Sequence, residues 1–102
     1  MNAYTIPGIK TEEDIICDSF GIEKENLLKR RRWREVVEAR YFLFWYQKTK
    51  LKHGISQIGR NSGFDHATVI HACNTVNDLM QTDKIFREKA ETAIRNLECI
   101  QK

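Results

Sequence analysis

Residues 54–80 read GISQIGRNSGFDHATVIHACNTVNDLM, and the fold turns on how that stretch is divided. His53 and Gly54 close the element before it, Ser56 is a candidate N-cap for a short helix over residues 57–61, and the Ser62-Gly63 pair stops that helix. Asp65 then caps a longer one. From there to Met80 the apolar residues Val69, Cys73, Val76 and Met80 recur at spacings of four, three and four, which is one face of an α-helix. His66, Ala67, Thr68, His71, Asn74 and Thr75 fall mostly off that stripe. Two helices joined by a tight glycine-bearing turn make a helix-turn-helix candidate.

The flanks are helical as well. Upstream, residues 33–50 form the longest candidate helix, with Val36, Val37, Tyr41, Phe42, Phe44 and Trp45 covering more than half of its circumference, as a central helix packed on several sides requires. Its apolar run from Tyr41 to Tyr46 could by itself be a buried strand, but helix-compatible sequence continues around it far beyond ordinary strand length. Before it, Thr11 with Asp14 three positions on is an N-cap pattern ahead of Ile15, Ile16 and Phe20, and Gly21 ends that helix. Residues 22–28 read as a connector with a turn of helix, docked through Leu27 and Leu28. Downstream, residues 83–100 carry Ile85, Phe86, Ile94 and Leu97 and suggest a last amphipathic helix. The expectation is an all-α bundle of five to six helices containing the helix-turn-helix, with residues 1–10 as a lead-in and 11–102 as one domain.

At 102 residues, 41% hydrophobic and 30% charged, the chain can bury one core and is neither disordered nor fibrous in composition. No apolar run approaches the roughly 20 residues that span a bilayer, and the first residues do not read as a secretory signal, so a cytoplasmic protein is expected. Cys17, Cys73 and Cys99 are odd in number and widely spaced, which reads as reduced core thiols. His66 and His71, five apart on one helix, do not share a face, so neither a metal nor any other cofactor is expected.

Charge is divided along the chain. Residues 1–23 hold one basic and five acidic side chains, net −4; residues 24–60 hold eleven and three, net +8; residues 61–102 hold five and six, net −1. A concentrated positive segment suits a polyanionic partner, against the plainer reading of a solvated charged face. The run Lys29, Arg30, Arg31, Arg32, Arg34 is denser than solubility requires.

In a helix-turn-helix on DNA, the first residues of the second helix reach base edges in the major groove. Here they are Asp65, His66, Ala67 and Thr68. A carboxylate accepts from cytosine, an imidazole donates or accepts, and the Ala and Thr methyls suit the thymine methyl. Asp65 would also be expected as a plain N-cap in a protein that never met DNA.

The order Ile58-Gly59, then Gly63, then Asp65-His66-Ala67-Thr68-Val69-Ile70-His71-Ala72 resembles the signature of the C-terminal DNA-binding domain of DnaA, the bacterial replication initiator. The likeness runs from about Ile15 to Leu97 and takes in a basic loop after Leu27-Leu28. It implies double-stranded DNA as partner, with Arg32 in the minor groove and Arg31 beside it. It implies base contacts from Asp65, His66 and Ala67, and contacts to the sugar-phosphate backbone from Arg31, Arg40, Lys48, Thr68 and His71. It departs from the family pattern in four places: Ala67 replaces a Thr or Ser, the turn is one residue short, Phe64 stands where Arg is usual, and Thr75 where Lys is common. The three replacements remove polar or basic groups, so the preferred site is expected to differ from the usual DnaA box or to be bound more weakly.

There is no Gly-x-x-x-x-Gly-Lys-Ser/Thr phosphate loop, so no nucleotide is expected, and the Met1 start favours a free-standing, monomeric relative of the domain. The competing reading is an interaction module that regulates replication by docking on replication proteins, invited by the acidic residues 1–23. An enzyme built on Asp65 with His66 or His71 lacks a nucleophile, and no catalytic residue is assigned.

Overall fold

A computed structural model describes residues 11–29 and 33–100, the last without its side chain. Among the described residues all regular structure is helical: α1 (Glu12–Phe20), a 3-10 turn (Lys24–Asn26), α2 (Arg34–Thr49), α3 (Ile55–Ser62), α4 (His66–Thr82) and α5 (Lys84–Ile100). The all-α bundle expected from the sequence is the fold. The lead-in at residues 1–10 lies outside the described residues.

Each helix starts and stops for local reasons. Thr11 and Asp14 form a reciprocal capping box, Thr11 Oγ1 accepting from the Asp14 amide (3.2 Å) and Asp14 Oδ2 from the Thr11 amide (3.1 Å), and Gly21 ends α1 at φ +72°. Asp83 joins α4 to α5: its amide donates to Leu79, its Oδ1 accepts from the Phe86 amide (3.0 Å), and its Oδ2 accepts from Arg34 (3.1 Å) at the start of α2. Arg34 also pairs with Glu38 one turn on (2.9 Å), so one exposed guanidinium links the ends of three helices.

The core lies where α1, α2, α4 and α5 meet. Phe42 is fully buried, with Phe20 at 5.5 Å and Tyr46 at 6.4 Å between ring centroids, and Phe86 of α5 reaches Phe20 at 5.6 Å. The α5 stripe is Phe86, Ala90, Ala93 and Leu97, spaced four, three and four, and its alanines let the helix approach closely.

Four expectations need correction. Ile85 is 67% exposed, because the buried stripe of α5 begins at Phe86 and the residue before it points outward. Cys17 and Cys73 are buried free thiols, but Cys99 is exposed, being off the Phe86–Leu97 face. Helix α3 begins at Ile55 with Gly54 in the cap position, not at Gln57 after a Ser56 cap, and this earlier start sets Ile55 and the fully buried Ile58 on one face against the core. Helix α4 buries Val69, Ala72, Cys73 and Val76, leaving Met80 only half-buried at the end of the stripe.

Candidate nucleic-acid interface

The turn between α3 and α4 is tight because two glycines make it so. Gly63 sits at φ +80°, ψ 15°, a left-handed conformation that closes α3 through its amide to the Gly59 carbonyl (2.9 Å). The Phe64 amide donates to the same carbonyl (3.2 Å) and the Ser62 hydroxyl also donates to it (3.3 Å), so three donors converge on Gly59 O. A side chain on Gly59 would collide with the Phe64 carbonyl oxygen. Phe64 itself is buried edge-on against Phe44 at 5.7 Å and anchors the turn to the core.

With the chain fixed there, Asp65 is extended and its Oδ1 accepts from the Thr68 amide at 2.8 Å, starting α4. Because Val69, Ala72, Cys73 and Val76 face inward, the opposite side, His66, Ala67, Ile70, His71 and Asn74, is exposed. The two histidines edge this face. His66 Nε2 meets the Ser56 hydroxyl of α3 (2.9 Å), while His71 packs edge-on to Tyr41 of α2 (5.7 Å) with Thr75 Oγ1 at 3.4 Å from its Nε2. Both rings are thereby tethered through groups that leave the middle of the face to Ala67, Ile70 and Asn74.

Exposed cations lie on the helices that pack against α4. Lys48 is exposed near the end of α2, close enough to α4 to ease the Cys73 thiol downward against the burial that raises it. Trp45, one turn earlier, donates its indole N–H to Asn77 of α4 (3.0 Å) and fixes the two helices in register. On the α3 side, exposed Arg60 lines one shallow groove with Ser56, Gly59, Phe64, Asp65 and His66.

Of the residues expected at a DNA surface, Asp65, His66, Ala67, Thr68 and His71 stand together at the start of α4, Thr68 half-buried and the others exposed. Lys48 is exposed on α2, close to Cys73 of α4. Arg40 is not: it is 6% exposed, turned inward, and donates from Nη1 to the Lys29 carbonyl at 2.7 Å. Arg31 and Arg32 lie outside the described residues. Sequence reasoning overlooked Ile70, 48% exposed in the middle of the face, and Arg60. Ile70 could have been found from its register, since it falls one turn after His66 and opposite the buried stripe. Among the described residues no cluster of His, Cys, Asp or Glu could hold a metal ion, and no helix is long and apolar enough to cross a membrane.

This helix-turn-helix is also a family match. The model of the bacterial DnaA protein helix-turn-helix matches residues 11–76, from the cap of α1 through the middle of α4. The chain belongs to the bacterial DnaA helix-turn-helix family. Over 77 residues it is 39% identical to the chromosomal replication initiator protein DnaA of Flavobacterium psychrophilum, covering 74% of this chain and 16% of that protein. Over 79 residues it is 39% identical to the DnaA protein of Bacteroides fragilis, covering 76% of this chain and 17% of that one. The matched region thus spans about a sixth of the length of these DnaA relatives. Membership of the DnaA helix-turn-helix family supports DNA binding in general.

Proposed function

We propose that this chain binds double-stranded DNA with sequence preference at a DnaA-box-like origin or regulatory site, as a monomer and without a bound nucleotide. The observation that carries the reading is the exposed face of α4, whose polar and small side chains project from a helix anchored on its other side by Val69, Ala72 and Val76. Asp65, His66 and Ala67 are assigned to base edges in the major groove, with Ile70 added to them. Thr68, His71 and Lys48 are assigned to phosphates. Arg32, with Arg31 beside it, is assigned to the neighbouring minor groove, where a planar guanidinium suits the narrow, electronegative A·T-rich form. The relatives' role as chromosomal replication initiators supports a cytoplasmic, nucleoid-associated protein acting in replication initiation or its regulation.

The test is fluorescence anisotropy on a labelled duplex carrying a DnaA box against a scrambled duplex of equal composition, across a salt series. Preference for the box that persists as salt rises is the expected result. Lys48→Ala should weaken both duplexes equally and lower the slope of log K against log salt by about 0.9, the contribution of one neutralised phosphate. Absence of binding to either duplex in low salt overturns the reading. It would favour the second one, docking on replication proteins, which the exposed Trp33 (57%) and Ile85 (67%) support.

A further inference from the structure

Arg40 is the one charged side chain buried among the described residues. Taking a guanidinium out of water is costly unless its N–H groups and its charge are met, so its surroundings define its task. Its Nη1 donates to the Lys29 carbonyl at 2.7 Å, and its Cζ lies 4.9 Å from the centre of the Phe64 ring and 6.0 Å from that of Tyr41. These partners belong to separate parts of the chain. The Lys29 amide is bonded to Asn26 O (3.2 Å), so with Arg40 on its carbonyl the residue is held on both sides just before the arginine run begins. Phe64 is the residue whose amide closes the turn onto Gly59 and whose successor, Asp65, caps α4.

We propose that Arg40 is a positioning residue that braces the root of the basic segment against the turn of the helix-turn-helix. One side chain from α2 thereby ties the Lys29 backbone to the turn that starts α4. Groups already fixed lose less freedom on binding, so anchoring Lys29 and the α3–α4 turn raises affinity without Arg40 touching DNA. Arginine suits it: one guanidinium N–H donates to the carbonyl while the carbon at its centre lies over the aromatic ring, and a lysine ammonium, a single point charge, is poorly shaped to do both. The phenylalanine at position 64 is the other half of the same device. The effect on DNA rests on the function proposed above; the brace itself does not.

The decisive experiment is amide hydrogen exchange on the free 102-residue protein, compared with Arg40→Lys and Phe64→Leu. Arg40→Lys keeps the charge, and Phe64→Leu keeps apolar bulk, so both are chosen to stay folded, with circular dichroism as the check. Each should speed exchange at the Lys29 and Phe64 amides roughly tenfold, the scale of a partly buried cation–π contact, and leave the α5 amides unchanged. On duplex DNA each should weaken binding, and the double variant should bind no more weakly than the worse single one, because both break one contact. Unchanged exchange at Lys29 and Phe64 in Arg40→Lys overturns the brace whatever DNA does. Faster exchange in a protein that never binds DNA upholds the brace and refutes the DNA-binding reading instead.

Discussion

The carbonyl oxygen of Phe64 lies 2.7 Å from where a Cβ on Gly59 would stand. Real Cβ atoms do not approach backbone oxygen so closely, and the oxygen belongs to the turn itself, so neither side can give way cheaply. Gly59→Ala should therefore destabilise the protein by about 1–3 kcal/mol, the range of an overpacked site. Chemical denaturation checks this. Gly54→Ser is the control, since nothing lies within 4 Å of a Cβ there, its φ of −75° is open to any residue and serine is a favoured helix cap, and it should be no less stable than wild type by more than a few tenths of a kcal/mol.

The first helix gives a prediction in pH. The Thr11 amide donates to the Asp14 carboxylate and, against the opposing cost of burial, holds it below its ordinary value of 3.8, with the Thr11 hydroxyl and the Lys24 ammonium, 3.3 Å away, adding to the effect. A carboxyl lowered in the folded state contributes stability that is complete above about 3.8 and is lost as the pH falls through its folded value. Asp14→Asn should cost about 1 kcal/mol at neutral pH, the scale of a helix cap. The gap between variant and wild type should narrow as the pH drops below 3.8 in a urea-denaturation series. A gap independent of pH would mean that the carboxylate charge is irrelevant to the cap.

Much of this was legible beforehand, and the exceptions share a cause. The capping box at Thr11, the stop at Gly21, the Gly63 turn and the Asp65 cap are local chemistry, each decided within a few residues of its own position. Ile85, Cys99 and the start of α3 were decided by which face met the core, and Ile55, apolar and just before a plausible Ser cap, was drawn into the helix by packing. Arg40 was misleading in another way. In sequence it is one more cation in a basic segment, and its inward turn depends on Phe64, twenty-four residues away. Such a pairing leaves no mark in periodicity or charge.

The cysteines should separate cleanly by reactivity. Burial pushes the Cys17 thiol up to about 11, with the nearby Asp14, Glu13 and Asp18 carboxylates adding to it, and burial also raises Cys73. Thiolate is the reactive form, so both should resist iodoacetamide until the protein unfolds, while exposed Cys99 is alkylated in the native state. Mass spectrometry of a native time course should show one rapid adduct, mapped to Cys99. Early modification of Cys17 would mean that α1 opens locally.

The middle of the α4 face makes the most specific prediction about DNA. Ala67 and Ile70 stand between the two histidines and offer only methyl and methylene surface, which in the major groove matches the thymine C5 methyl and no hydrogen-bonding edge. Replacing a contacted thymine by uracil removes that methyl alone and should cost about 0.8 kcal/mol, roughly a fourfold loss of affinity. Ile70→Ala should lower affinity for the thymine duplex and abolish the difference between thymine and uracil at one position. With the side chain 48% exposed, it should leave folding stability within about 0.5 kcal/mol of wild type. Anisotropy titrations of the four protein and duplex combinations close the cycle. If thymine and uracil duplexes bind Ile70→Ala with the same difference they show in wild type, Ile70 is not what reads the methyl, and Ala67 or the Thr68 methyl is the next candidate.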